Sequence, residues 1–405
     1  MGRERCDMQA TLSPTPNTDI PSLTWAEIDL GSLAHNYREL RRVTASTAVM
    51  MAVVKADGYG HGAPQVARVA LENGADFLAV ARMGEALRLR EAGISAPMLL
   101  FGHSLPAYVE ILASMNIRAA INSLNGARSI SAEAVRRKTG IKAHIKIDTG
   151  MGRLGLAADD IAVRTDTGEH FKRAIDDILA IAALPGIEVE GIFTHFANAD
   201  SRNKDHAMTQ LSRFTRLLET LESHSLRVKY RHAANSAAII DIPGSHLDLV
   251  RPGIAQYGLW PSDEVDKQRI HLKPVLSIKS RVIHVKDVGP DFAVSYGSTH
   301  VTSRPTRIAT IPIGYADGYS RMLSSSGHML VKGVRAPIIG RVCMDLTMID
   351  VGHVPDVSLE DEVVILGSQG GDTISADEIA QRVGTINYEI VSSLTLRVPK
   401  VYLKG

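Results

Sequence analysis

The sequence predicts an α/β protein: a (β/α)8 TIM-like barrel followed by a mainly antiparallel β C-terminal domain. Three observations carry that expectation. Between Val49 and Trp260, eight strand-like segments alternate with helical ones, and strands joined by helical crossovers form a parallel sheet that closes at eight. No G-x-G-x-x-G opens an early helix, as it does in the alternative, an open doubly wound sheet. After Pro261 the chain changes to short β-branched runs punctuated by Gly and Pro, the pattern of antiparallel sheet.

Residues 1–22 are polar, carry three prolines and lack the apolar stretch of a signal peptide, so they read as a disordered tail. The barrel domain is expected over 23–262 and the β-rich domain over 263–405. The first strand, 25–30, alternates apolar and acidic residues and is a candidate to pair with the C-terminal domain. A helix follows to about Arg42, with Ser32 read as its N-cap. Barrel strands are expected at 49–55, 77–80, 97–101, 117–121, 142–148, 189–194, 228–232 and 247–250. The helices between them include 63–73, 83–92, 106–115, 125–137, 171–183 and 205–223. In the last, Leu211, Phe214, Leu217, Leu218 and Leu221 form one apolar stripe at helical spacing. The later strands are expected at 275–285, 306–313, 328–331, 336–340, 346–350 and 362–366, with a helix from Ser375 to Val383 and an edge-like strand closing the chain.

At 405 residues, 45% apolar and 22% charged, with a formal net charge of +1, the chain has no electrostatic case for nucleic acid or an anionic membrane. Its longest apolar runs are too short to span a bilayer. Two cysteines, Cys6 and Cys343, make no disulfide framework and point to a reducing, cytoplasmic setting.

Met51-Ala52-Val53-Val54-Lys55 ends an apolar run, and a glycine-rich turn through Gly62 follows. A lysine where a buried strand leaves the core is partly desolvated, which lowers its pKa and exposes a reactive amine; the plain alternative is a surface lysine with a packed stem. A barrel carries its chemistry on the loops after its strands. Those loops here hold Lys55 (strand 1), Asp148 to Arg153 (strand 5), His195 (strand 6), Asn235-Ser236 (strand 7) and Arg251-Pro252-Gly253-Ile254 (strand 8). Backbone N–H groups, glycines and hydroxyls suit a phosphate dianion, and Ser236 with Gly253 and Ile254 supplies them. Asn235-Ser236 reads equally as an ordinary helix cap, Arg251 as one half of a surface ion pair, and Tyr296 as a turn tyrosine before glycine.

The segment Ala52-Val53-Val54-Lys55-Ala56-Asp57-Gly58-Tyr59-Gly60-His61-Gly62 resembles the cofactor-lysine segment of the alanine racemase family, and the resemblance runs from about Trp25 to Tyr402. It implies pyridoxal 5'-phosphate bound covalently at Lys55. Its phosphate is held by Tyr59, Asn235, Ser236, Gly253, Ile254 and Tyr388, and Arg251 faces the pyridine nitrogen. Most enzymes of this cofactor place a carboxylate there; an arginine donates a hydrogen bond without giving up its proton, which favours simple return of a proton to Cα. Val294-Ser295-Tyr296-Gly297-Ser298 resembles the family segment with the second base, so Lys55 and Tyr296 are the expected pair, with Tyr296, His195 and Arg251 in one chain of contacts. In the family that tyrosine enters the partner's site, which implies a homodimer. Arg153 resembles the arginine that meets the cofactor oxygen and the substrate carboxylate, and Lys146 the lysine that many relatives carry carbamylated. Gly314-Tyr315 and Cys343-Met344-Asp345 resemble substrate-channel positions. Val391-Ser392-Ser393 departs from many relatives, which have a cysteine there. The expected function is interconversion of L- and D-alanine, which supplies D-alanine for peptidoglycan; no metal is called for. The alternatives are a serine or broad-specificity racemase, a decarboxylase of related architecture, and a cofactor-binding barrel without turnover.

Overall fold

The computed structural model describes residues 22–158 and 169–404. The expected tail lies outside the described residues except for Ser22, and Cys6 lies outside with it. The chain forms two compact units. One takes Glu27–Leu276, Ala376–Leu394 and the residues from Tyr402; the other takes Ser277–Ser375, Thr395–Val401 and the N-terminal residues through Ala26.

The first unit is the barrel. Its strands are β1 (Val49–Val53), β2 (Phe77–Val80), β3 (Met98–His103), β4 (Ile117–Ile121), β5 (Ile141–Asp148), β6 (Ile187–Phe193), β7 (Tyr230–His232) and β8 (Leu249–Val250). They pair in parallel in that order, and β8 returns to β1 with Leu249 opposite Val49. The ring is completed between β7 and β8 by two backbone bonds that flank β8: Asp248 N to Arg231 O, 3.1 Å, and Arg251 N to Ala234 O, 3.0 Å. The bidentate Arg231–Asp248 pair braces the same seam. Closure leaves no open edge on the parallel sheet.

Alternate residues of each strand point inward. Met51, Val53, Phe77, Ala79, Leu99, Ala120, Phe193 and Leu249 form one apolar interior cluster. Helices cover the outside. The five apolar residues of the expected 205–223 stripe are all buried on Asp205–Ser223; fully burying a leucine of this kind is worth about 1.5–3 kcal/mol. The expected helix over 106–115 is a 3-10 turn, Pro106–Tyr108, followed by an α-helix, Val109–Ser114. The N-cap of the first helix is Asp29, not Ser32: Asp29 Oδ1 accepts from Ser32 N at 2.8 Å and Oδ2 from the Ser32 hydroxyl at 2.8 Å. A carboxylate at a helix start accepts two donors and meets the positive end of the dipole, so the helix begins at Leu30.

The second unit is β-rich. The expected 275–285 strand is two, Leu276–Arg281 and His284–Val288. The chain changes partner between them: the first pairs with Glu362–Gln369 and the second with Thr306–Ile311, both antiparallel. Thr24–Asp29 buries every second residue and lies between Leu276–Arg281 and Lys400–Leu403 in strand order; Ala26 N bonds Pro399 O at 2.9 Å. Ala293–Val294 and His300–Val301 make a two-stranded hairpin whose tip carries Tyr296. No helix among the described residues is long and apolar enough to cross a membrane.

Candidate active site

The site grows out of the end of β1. Ala56, Asp57, Gly58 and Tyr59 all have φ between 51 and 63°, so the backbone after Lys55 turns in the left-handed sense. That sense costs roughly 1–2 kcal/mol for each non-glycine residue and needs support. Gly58 N returns to Val54 O and Gly60 N to Ala56 O, both at 2.9 Å. Glu85 Oε1 accepts from Ala56 N at 2.7 Å, and Asp57 Oδ1 from Ala63 N at 3.0 Å. The turn brings the Tyr59 ring back to within 5.8 Å of Lys55 Nζ. Burial pushes the Lys55 amine below its ordinary pKa; Arg153 adds to this and Glu85 partly offsets it.

The Tyr59 hydroxyl faces the loop after β8. A Cβ on Gly253 would lie 3.1 Å from Tyr59 Oη and 3.7 Å from Ser236 Oγ, so glycine keeps this cradle open. Ser236 Oγ accepts from Gly253 N at 2.8 Å and from Ala255 N at 3.3 Å, which leaves its own proton for a third partner. Asn235 caps the short helix Ser236–Asp241, with Oδ1 accepting from Ala238 N at 3.1 Å. The Tyr388 ring lies 6.2 Å from that of Tyr59. Burial pushes both tyrosines above their usual pKa, so both stay protonated donors.

Beyond β5, Asp148 Oδ1 accepts from the backbone N–H groups of Gly150, Met151 and Gly152 at 2.8–3.1 Å, and Oδ2 from Arg153 N at 3.1 Å. Burial alone would raise this carboxyl, but those donors hold it below its ordinary value. The loop, and with it Arg153, is thus pinned. Lys146, two residues earlier on the same face, is 5% exposed, and its Nζ has no hydrogen-bond partner. It sits 5.0 Å over the Phe193 ring. Burial, then Arg251, lower its pKa well below that of lysine, against the pull of Asp148.

Arg251 sits at the centre, 3% exposed. Its Nη2 donates to Thr194 O at 2.9 Å and Ala233 O at 2.8 Å, and faces His195 Nδ1 at 3.3 Å. Its Nη1 donates to His232 Nδ1 at 2.8 Å. Burial and then Arg153 push its pKa down to about 9, so the guanidinium remains charged at neutral pH. Burial, then Arg251 and Lys146, hold His195 well below the usual histidine value; it is a neutral imidazole.

This geometry meets a clear match among known proteins. The family model described as alanine racemase, N-terminal domain, covers residues 28–261, and the one described as alanine racemase, C-terminal domain, covers 275–402. The chain belongs to the alanine racemase family. It is 51% identical over 381 residues to an alanine racemase of Desulfosudis oleivorans, covering 94% of this chain and 97% of that one. The solved alanine racemase of Clostridium difficile aligns with a TM-score of 0.88 at 35% identity, covering 95% and 97% of the two chains. The alanine racemase of Bartonella henselae, solved with covalently bound pyridoxal phosphate, aligns with a TM-score of 0.82 at 28% identity, covering 95% and 100%.

Lys55, Tyr59, Lys146, Arg153, His195, Asn235, Ser236, Arg251, Gly253, Ile254 and Tyr388 all belong to the barrel unit, with Tyr388 carried by Asn387–Ser392. Tyr296, Tyr315, Met344 and Asp345 belong to the β-rich unit. There Tyr296 is 73% exposed. Ser295 before it has φ 66° and ψ −176°, a conformation that suits glycine, and is tied by Oγ to Arg341 O at 2.8 Å. Tyr315 N bonds Cys343 O and Ala316 N bonds Met344 O, both at 3.0 Å; Asp345 accepts from Arg397 Nη2 at 2.7 Å. The family's sequence resemblance did not single out His232, the second histidine on Arg251, nor Glu85, which braces the lysine turn. A signal for the interior set was present: Lys142, His144, Lys146 and Asp148 put a polar group at every second position of β5, which is unusual for a strand buried on both faces.

Proposed function

We propose that the chain interconverts L- and D-alanine with pyridoxal 5'-phosphate held on Lys55, and that Lys55 and Tyr296 move the two protons. The observation that carries this reading is the buried, charged Arg251 at the barrel rim that also bears Lys55. Its partners are two histidines and two carbonyls, where the related decarboxylases present a glutamate to the ring nitrogen. When bound, the cofactor ring withdraws electrons from the substrate Cα–H bond. Arg251 would donate a hydrogen bond to the ring nitrogen without giving up its proton.

The open cradle at Gly253 fits a phosphate. The Tyr59 and Tyr388 hydroxyls, the Ser236 hydroxyl and the backbone at Gly253 and Ile254 donate to it, while Asn235 holds the helix that presents Ser236. Arg153, fixed through Asp148, binds the substrate carboxylate together with the Met344 N–H; Tyr315 and Asp345 line the approach. Lys55, lowered in pKa by burial, removes or returns the proton on one face.

Tyr296 serves the opposite face. A free tyrosine titrates near 10 and needs a donor to stabilise its anion. Arg251 faces His195 Nδ1, so the neutral His195 carries its proton on Nε2 and donates it to the phenolate oxygen. The exposed tip that holds Tyr296 is the part of a second copy of the chain that completes the site, so the enzyme works as a homodimer. Lys146 is carbamylated: its neutral amine attacks carbon dioxide, a C–N bond forms, the amine proton leaves, and the carbamate anion pairs with Arg153. Its mass then rises by one carbon dioxide; an unmodified amine removes this assignment. The setting is the cytoplasm, consistent with the free thiol of Cys343.

Purified protein should absorb as a lysine-bound pyridoxal and should racemise L-alanine faster than a panel of larger L-amino acids. A colourless protein contradicts cofactor binding. Equal rates with serine move the reading to a broad-specificity racemase.

A further inference from the structure

Below the rim, the barrel interior holds a second polar system. His232 accepts from Arg251 at Nδ1. A neutral imidazole that accepts at one nitrogen carries its proton on the other, so His232 is protonated at Nε2. That nitrogen lies 2.8 Å from His144 Nδ1, which is therefore an acceptor, and His144 carries its own proton on Nε2. His144 Nε2 faces Glu190 Oε2 at 3.5 Å. This is outside hydrogen-bond geometry, yet a carboxylate orients a dipole at that range in a dry interior.

Glu190 is anchored from below. Arg118 donates to it through Nε at 2.7 Å and Nη2 at 3.1 Å, and Lys142 Nζ at 3.1 Å. Both histidines are fully buried, and Glu190 and Arg118 are each 5% exposed. Burial holds both imidazoles below their ordinary pKa; it also raises the Glu190 carboxyl, which the His144, Arg118 and Lys142 contacts outweigh. Room for the His144 ring comes from Gly191 on β6, where a Cβ would lie 2.7 Å from His144 Nδ1. Arg118 and Lys142 also line a cleft of about 420 Å³ at the opposite end of the strands from the rim.

We propose that Glu190, acting through His144 and His232, is a positioning residue for Arg251. Its charge, anchored by Arg118 and Lys142, orders both imidazoles so that His232 presents a lone pair to Arg251 Nη1. With the tautomers reversed, an N–H of His232 would face an N–H of Arg251, and the guanidinium would turn from its aim. The inference rests on the assignment of Arg251 to the ring nitrogen.

The test is long-range ¹H–¹⁵N spectroscopy of the histidine rings in the cofactor-loaded protein, with kinetics of Glu190→Gln and Glu190→Asp. In the wild type both His232 and His144 should be protonated at Nε2 alone. Glu190→Gln should shift the His232 ring resonances toward mixed tautomers and lower kcat in both directions by about tenfold to a hundredfold, the cost of a small misplacement, with KM nearly unchanged. Glu190→Asp should restore part of both. A wild-type His232 protonated at Nδ1, or cationic, overturns the proposal, and this measurement needs no folded variant. Glu190→Gln with unmoved His232 resonances also overturns it. If Arg251→Lys lowers kcat while Glu190→Gln is silent, only this inference fails; if both are silent, the reading of Arg251 fails.

Discussion

Arg251 and Tyr296 show two ways of holding a functional side chain. Arg251 is buried on the barrel and makes contacts to four partners from β7 and from the loops that follow β6 and β7. Tyr296 stands 73% exposed at the tip of a two-stranded hairpin, after a backbone held in an unfavourable conformation. In the barrel unit Arg251, the Lys55 turn and Ser236 are each held by contacts made within that unit. The β-rich unit presents its tyrosine outward at the hairpin tip. On the function proposed above, cofactor retention is a property of the barrel unit, and the second proton transfer is a property of the Tyr296 hairpin of a second copy.

The sharpest way to break this division is Lys55→Ala. It should abolish the lysine-bound absorbance and cut racemisation by about 10⁴-fold or more, the upper range for a lost acid–base group; retained turnover would remove Lys55 from the chemistry. Tyr296→Phe should cost about 10²–10⁴-fold in kcat for the same reason, while cofactor titration stays at the wild-type affinity. Weaker cofactor binding in that variant would show that the two units are not separable. Gly253→Ala should act in the opposite sense. Its Cβ would crowd Tyr59 Oη at 3.1 Å, and overpacking of about 1–3 kcal/mol weakens cofactor binding by roughly 5- to 150-fold, read by equilibrium dialysis.

A smaller effect separates the units by pH. His144, His195 and His232 have folded pKa values below the ordinary 6.5. The unfolded chain then binds protons that the folded chain does not, so stability is full above about 6.5 and falls as pH drops toward the folded values. The slope is about 1.4 kcal/mol per pH unit for each such histidine. The thermal midpoint should fall between pH 7 and 5, and His232→Gln should flatten that fall; an unchanged slope rejects a neutral, buried His232. The smallest effect is expected from Ser295→Gly. Relief of backbone cost, about 1–3 kcal/mol, is offset by loss of the Oγ bond to Arg341 O, about 1 kcal/mol. The midpoint should hold or rise while turnover drops severalfold as Tyr296 loses its aim. A fall in both would mean that the Ser295 backbone stores no strain.

Most barrel strands could be read because they are apolar runs, such as Val49–Val53 and Phe77–Val80, and the rim could be read because polar residues interrupt those runs where they leave the core. By contrast β5, with a polar group at every second position, and the short Tyr230–His232 were legible mainly from their place in the alternation with helices. Asp29 was missed as a cap because Ser32 also fits the local pattern; only the two bonds to one carboxylate decide between them. The histidine system was out of reach for a different reason. His144 and His232 lie 88 positions apart on strands separated by β6, and no local rule brings them together. Their contact follows from closing the barrel and from the missing side chain at Gly191.

The backbone sense after Lys55 carries a lesson for anyone recombining this scaffold. Ala56, Asp57 and Tyr59 adopt it without the freedom of glycine, and only its far border is marked, by Gly60 with φ 84°. One inserted or deleted residue there would break the counting of its bonds and swing Tyr59 away from its lysine. Crossover points in a chimera or an indel library therefore belong before Val54 or after Gly62.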